Sequence, residues 1–122
     1  MNIISDKDRI WNYFIENICH KDFSTLTNLQ KDAVLCFWYD AEMNSGGHSG
    51  YFDCYSDTDT EELACALKRI AGEDFADNFL NALKYGDDDD YEKSDDSFYS
   101  FTPSLTDRLI EFIIKHKNEI II

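Results

Sequence analysis

Apolar positions recur every three to four residues along most of the chain, a period that predicts helices and not strands. Ile10, Phe14 and Ile18 fall at i, i+4 and i+8, with Trp11 and Ile15 beside them and Asp6 or Ser5 placed to cap the start. Leu26 and a Thr27–Gln30 capping box open a second helix, whose stripe of Leu29, Ala33, Phe37 and Ala41 is widened by Val34 and Trp38. Asn44-Ser45-Gly46-Gly47 ends it at about Glu42. Thr58 with Glu61 reads as another capping box, followed by Leu63, Ala66, Leu67 and Ile70, with Gly72 as the stop. Phe75, Phe79, Leu80 and Leu83 then share one face up to Gly86. A last helix takes Pro103 as its first residue and turns Leu105, Leu109, Phe112, Ile113 and His116 inward.

Two stretches break the period. Residues 46–55 are rich first in glycine and then in aromatics, which predicts a tight loop packed on the core. Residues 87–96 are an acidic run without apolar spacing, predicted to be loosely held. With no strand and no repeat, the expectation is an all-α fold. It comprises one domain, 1–122, of five or six helices with antiparallel neighbours. Trp11, Trp38, Phe37, Phe75, Phe79 and Phe112 sit at helical spacing and read as core.

Charge changes this picture most. The net charge is −14, and residues 43–102 hold fifteen acids against four bases, so the middle of the chain carries −11 of it. Direct binding to nucleic acid or to an anionic membrane is excluded on charge, because phosphate neutralisation would become repulsion. Met1 to Arg9 contain no apolar segment of the kind found in secretion signals, and no stretch approaches a membrane span. A soluble, cytoplasmic protein is therefore expected, with Cys19, Cys36, Cys54 and Cys65 reduced and mostly buried.

Candidate chemistry is sparse. Gly47-His48-Ser49-Gly50 invites comparison with a nucleophile elbow, but Tyr51 stands where the last glycine belongs and no strand precedes it. Asp57, Asp59 and Glu61 begin like a calcium loop, but Glu62 replaces the required glycine. Cysteine and histidine spacings match no zinc site, so neither metal nor cofactor is expected. A pocket lined by Asn44, Gly46, Gly47, His48, Ser49, Tyr51 and Tyr55, serving a small ligand or a reaction, is one alternative reading of the glycine segment.

A helix ending in Glu42-Met43-Asn44, followed by Gly46-Gly47-His48 and then Tyr51-Phe52, resembles the signature of the bacterial DNA mimic protein family. The similarity continues through Leu63, Ala66, Leu67, Ile70, Gly72 and Phe75-Ala76, then an Asp-rich linker with Phe98-Tyr99 and a closing helix, over roughly residues 20–117. The resemblance implies an all-helical, dimeric domain whose carboxylates imitate duplex phosphates and occupy a transcription factor.

The expected function is thus non-enzymatic, an acidic face that binds a basic DNA-binding protein. Asp53, Asp57, Asp59, Glu61, Glu62, Glu73, Asp74 and Asp77 flank helix starts, and Asp87, Asp88, Asp89 and Asp90 add steering charge. Charge alone suits an immunity or antitoxin protein covering a basic nuclease toxin equally well. Ile120-Ile121-Ile122 follow a helix whose inward stripe is already complete and so need a further surface. A homodimer joined through the weakly charged terminal segments is the favoured answer, and folding of the tail back onto its own chain is the other.

Overall fold

The computed structural model describes residues 6–122, so Ser5 as a cap lies outside the described residues. Helix α1 (Asp6–Tyr13) widens into a π-turn over Phe14–Ile18, in which the Cys19 N–H donates to the Phe14 carbonyl at 3.0 Å. A short 3-10 turn, Phe23–Thr25, leads to α2 (Asn28–Met43). Then follow α3 (Gly47–Cys54), α4 (Thr60–Ile70), α5 (Glu73–Tyr85), a 3-10 turn Gly86–Asp89, α6 (Glu92–Ser100), α7 (Leu105–Lys115) and α8 (Lys117–Ile120). The described residues contain no strand. None of these helices is long and apolar enough to cross a membrane.

Helix α2 is the central element, packed against α3, α4, α7 and α8. Its start is the expected capping box: Thr27 Oγ1 accepts from the Gln30 N–H, and Gln30 Oε1 accepts from the Thr27 N–H. Having neighbours on several sides, α2 buries more than one stripe. Cys36, Tyr39 and Met43 are fully buried, Phe37 and Trp38 are half-buried, and Ala41 is exposed, against expectation. The Tyr39 ring is the hub, with Tyr51, Phe79 and Phe98 meeting it edge-on at 5.2–5.6 Å between centroids.

Several predicted ends move. Residues 47–54 form helix α3 in place of a loop. Helix α4 is capped by Asp59, whose carboxylate accepts from the Glu61 and Glu62 N–H groups, and not by the Thr58–Glu61 box. Pro103, joined to Thr102 by a cis peptide bond, precedes α7, and Ser104 caps that helix by accepting from the Asp107 N–H. On α5 the inward face is filled by Phe75, Ala76, Phe79 and Ala82, leaving Leu80 and Leu83 on one flank, 43% and 45% exposed. The acidic run is ordered, forming the 3-10 turn and the first half of α6. All four thiols are free, but Cys54 at the end of α3 and Cys65 on the outer face of α4 are exposed and not buried.

The isoleucine tail is seated within its own chain. Ile120 is buried, the Gln30 side-chain amide donates to its carbonyl at 2.9 Å, and Ile121 packs on the core. Of the two expectations for the tail, folding back onto its own chain is the one that Ile120 and Ile121 follow, and of the three only Ile122 is largely exposed.

Side-chain links tie the helices together. Arg69 grips Asp32 through two parallel bonds of 2.8 and 2.9 Å, joining α4 to α2. Arg108 reaches Asp74 and the Ala71 carbonyl while lying over the Phe75 ring. The Thr106 hydroxyl donates to the buried Asp40 carboxylate, joining α7 to α2. Burial pushes the Asp40 carboxyl above the usual carboxylate range, against the hydrogen bonds from Thr106 and Asn44 that lower it. The neutral acid is therefore favoured by the fold, and its stabilising contribution is lost as pH rises through the raised folded-state value. Asp40→Asn keeps an oxygen for Thr106 and removes the buried charge, so it is expected to stabilise the protein at pH 7 by about 1 kcal/mol. Urea unfolding of both forms checks this, and a lower midpoint for the variant would contradict it.

Candidate functional site

The glycine pair ends α2 and aims α3. The Gly46 N–H donates to the Glu42 carbonyl at 2.7 Å, and Gly47 turns the chain with φ +67. A Cβ at Gly47 would also stand 2.5 Å from Asp95 Oδ2, so backbone conformation and packing both require glycine there.

His48 follows, fully buried, and joins three helices. Its backbone N–H donates to Asp95 Oδ1 at 3.0 Å, its Nδ1 lies 2.7 Å from the same oxygen, and its Nε2 lies 2.6 Å from the Tyr39 hydroxyl. An ionised carboxylate only accepts, so Nδ1 carries the proton and Nε2 accepts from Tyr39. Burial lowers the His48 pKa, opposed by Asp95, and burial holds the Tyr39 phenol well above its ordinary range. The neutral imidazole and the neutral phenol are the forms that fit this chain of bonds. Phe52 and Tyr91 lie near-parallel to the imidazole, at 6.2 and 6.4 Å between centroids, and Phe98 meets it edge-on. The Tyr99 hydroxyl donates to the Met43 carbonyl, a second tie between α6 and the end of α2.

Of the family-signature residues, His48, Tyr51 and Gly47 are therefore buried, Glu42 and Phe52 are half-buried, and Asn44 and Gly46 lie at the surface. The alternative pocket is divided in the same way: Ser49 is exposed, and Tyr55 is occupied by stacking on Trp38 and Tyr51. Chemically, the Tyr39–His48–Asp95 chain orients and fixes; its hydroxyl is enclosed and its protons are committed. The sequence reading missed Tyr39 and Asp95. The signal available for Asp95 was its position three residues before Phe98, one helical turn from a buried aromatic.

All twelve expected face carboxylates are exposed, and the structure divides them into groups. Asp87 accepts from the Tyr91 hydroxyl at 3.0 Å, and burial, that bond and the charges of Asp87, Asp53 and Asp90 raise the phenol. Asp89 accepts from the Lys93 N–H, which fixes the start of α6. The two residues Ala71 and Gly72 turn α5 back along α4, so the start of α4 lies at the same end as the close of α5. Asp57, Asp59, Glu61 and Glu62 therefore share that end with Asp87, Asp88, Asp89 and Asp90. Glu73, Asp74 and Asp77 lie at the other end of the pair, roughly 16 Å away along the helix axis. There Asp74 is held by Arg108, and Glu73 is 3.7 Å from Lys68.

Among the described residues no group of three or more His, Cys, Asp or Glu side chains is placed to hold a metal ion. No curated protein and no solved structure matches the chain. A family profile described as DMP19-like protein matches residues 24–116, a span that holds the Gly-Gly-His corner, Asp95 and every one of the twelve carboxylates. The chain belongs to the DMP19-like protein family.

Proposed function

We propose that this protein binds a basic DNA-binding protein, such as a transcription regulator, by presenting fixed carboxylates in place of duplex phosphates. The observation that carries the reading is the ordered acidic end. Asp87 holds the Tyr91 hydroxyl, the charges of Asp53 and Asp90 act on the same phenol, and the helix that follows is clamped to the core through Asp95 and His48. Duplex DNA displays about one charge per 1.7 Å of axis, so a substitute needs carboxylates that hold their spacing. Charges on a flexible tail would attract a partner without imitating a surface. Membership of a family of DNA mimics supports the same reading.

The test is capture from a cell extract on the immobilised protein at low and moderate salt, followed by elution with duplex DNA. A basic DNA-binding protein is expected to be retained, to leave with DNA, and to bind less tightly as salt rises. Substituting Asp87, Asp88, Asp89 and Asp90 with Asn is expected to weaken binding at least about tenfold with little change in unfolding midpoint. Recovery of no such protein at either salt would overturn the proposal, as would a partner that holds DNA and this chain together.

A further inference from the structure

Apart from the His48 corner, a groove of about 510 Å³ opens between α5 and α6, with Asn78, Tyr85, Asp88, Asp89, Lys93 and Ser94 among its walls. Asn78 and Ser94 are each only 8% exposed. The Asn78 amide donates to the Ser94 carbonyl at 2.9 Å, which fixes its orientation. Neither Asn78 Oδ1 nor Ser94 Oγ has a hydrogen-bond partner among the described residues. Neither is sealed in protein either, because no enclosed side-chain polar atom among these residues lacks a partner. Both oxygens therefore open onto the groove that their residues line.

Both are water-accessible oxygens on nearly buried side chains, so the packing around them holds them in place while leaving them open to a ligand. Asp88 and Asp89 stand at the rim, and the Tyr85 ring beside them is exposed on one side with Lys84 Nζ 5.2 Å from its centroid. This combination repels anions. Fixed acceptors on the floor and carboxylates at the rim together suit a planar cation with several donors and no acceptor, which describes a guanidinium. An ammonium offers the same charge without the planar donor set.

We propose that this groove seats an arginine side chain of the basic partner, with its guanidinium on Ser94 Oγ and Asn78 Oδ1 and against Asp88. The inference rests on the reading that the partner is a basic protein. It adds a specific anchor that a row of phosphates does not possess. Lys93 lines the same groove and brings a competing cation to it.

The experiment titrates the full chain with an acetylated Gly-Arg-Gly amide, its citrulline counterpart and its lysine counterpart, following the side-chain amide resonances of Asn78. The arginine peptide is expected to shift them in a saturable way, the lysine peptide more weakly, and the neutral citrulline peptide not at all. Ser94→Ala combined with Asp88→Asn is expected to weaken arginine binding about tenfold, the size of one lost charge-assisted contact, at an unchanged unfolding midpoint. Lys93→Ala is expected to strengthen it. An equal response to citrulline, or weaker binding after Lys93→Ala, overturns the proposal. If the captured partner binds the Ser94→Ala, Asp88→Asn variant as tightly as the parent protein, the groove is not its anchor, while the carboxylate reading stands. If no partner is captured but the arginine peptide binds as described, the groove is a guanidinium site and the DNA-substitute reading falls alone.

Discussion

Replacing His48 with Ala is expected to lower stability by about 3 kcal/mol, read as a fall in urea midpoint at pH 8. The change removes a fully buried ring from among Phe52, Tyr91 and Phe98, leaves the enclosed Tyr39 hydroxyl without its partner, and leaves Asp95 Oδ1 with the backbone N–H of residue 48 alone. The loss is expected to depend on pH. Because the folded protein holds the His48 pKa below its ordinary 6.5, the neutral ring stabilises the fold fully above that value. The contribution is lost as pH falls from there through the lower folded-state value, where the unfolded chain binds a proton that the folded one resists. The gap between parent and His48→Ala should therefore narrow between pH 8 and pH 5. A gap that widens on acidification would mean that the charged imidazole is the form that the corner prefers.

Gly86→Ala is the second large effect, expected at about 2 kcal/mol of destabilisation. The backbone at Gly86 has φ −59, which alanine adopts freely, so the conformation itself is not at issue. The obstacle is the Tyr91 ring, whose Cδ1 and Cε1 would lie 2.1 and 2.2 Å from the new Cβ. The ring must leave its place against Phe52, and the acidic end loses its centre. A double-mutant cycle isolates this contact, since the same Gly86→Ala change made in a Tyr91→Ala background should cost almost nothing. Equal costs in the two backgrounds would refute the explanation.

The readable and unreadable parts of this fold differ in a consistent way. Thr27 with Gln30, the Gly72 stop, and Leu63, Ala66 and Leu67 were legible because each is settled by residues within one or two turns. Helix α3 was not, although His48, Tyr51, Phe52 and Tyr55 follow the helical spacing, because Gly47 and Gly50 have poor helix propensity and read as loop. Tertiary contact supplies what propensity lacks there. Asp95 was hidden inside a run of acids that looks uniform, and only its partner at position 48, forty-seven residues away, distinguishes it. Leu80 and Leu83 misled in the opposite sense: they are apolar at helical spacing, yet Ala76 and Ala82 occupy the inward positions beside the phenylalanines. The candidate site followed the same rule. Its glycines and histidine were visible, while the tyrosine and aspartate that give them meaning lie on other helices.

Gln30 carries a consequence for the order in which the molecule assembles. One face of its amide completes the cap of α2, and the other fastens the carbonyl of Ile120, ninety positions later. The entropic cost of so long a closure grows slowly, about 0.6 kcal/mol for each doubling of the loop, so the distance is affordable at equilibrium. In time it is less forgiving. During synthesis the residues of α2 are made early, but the Gln30 amide cannot make its second bond until residue 120 has been added. The beginning of the central helix is therefore completed only once residue 120 has been made.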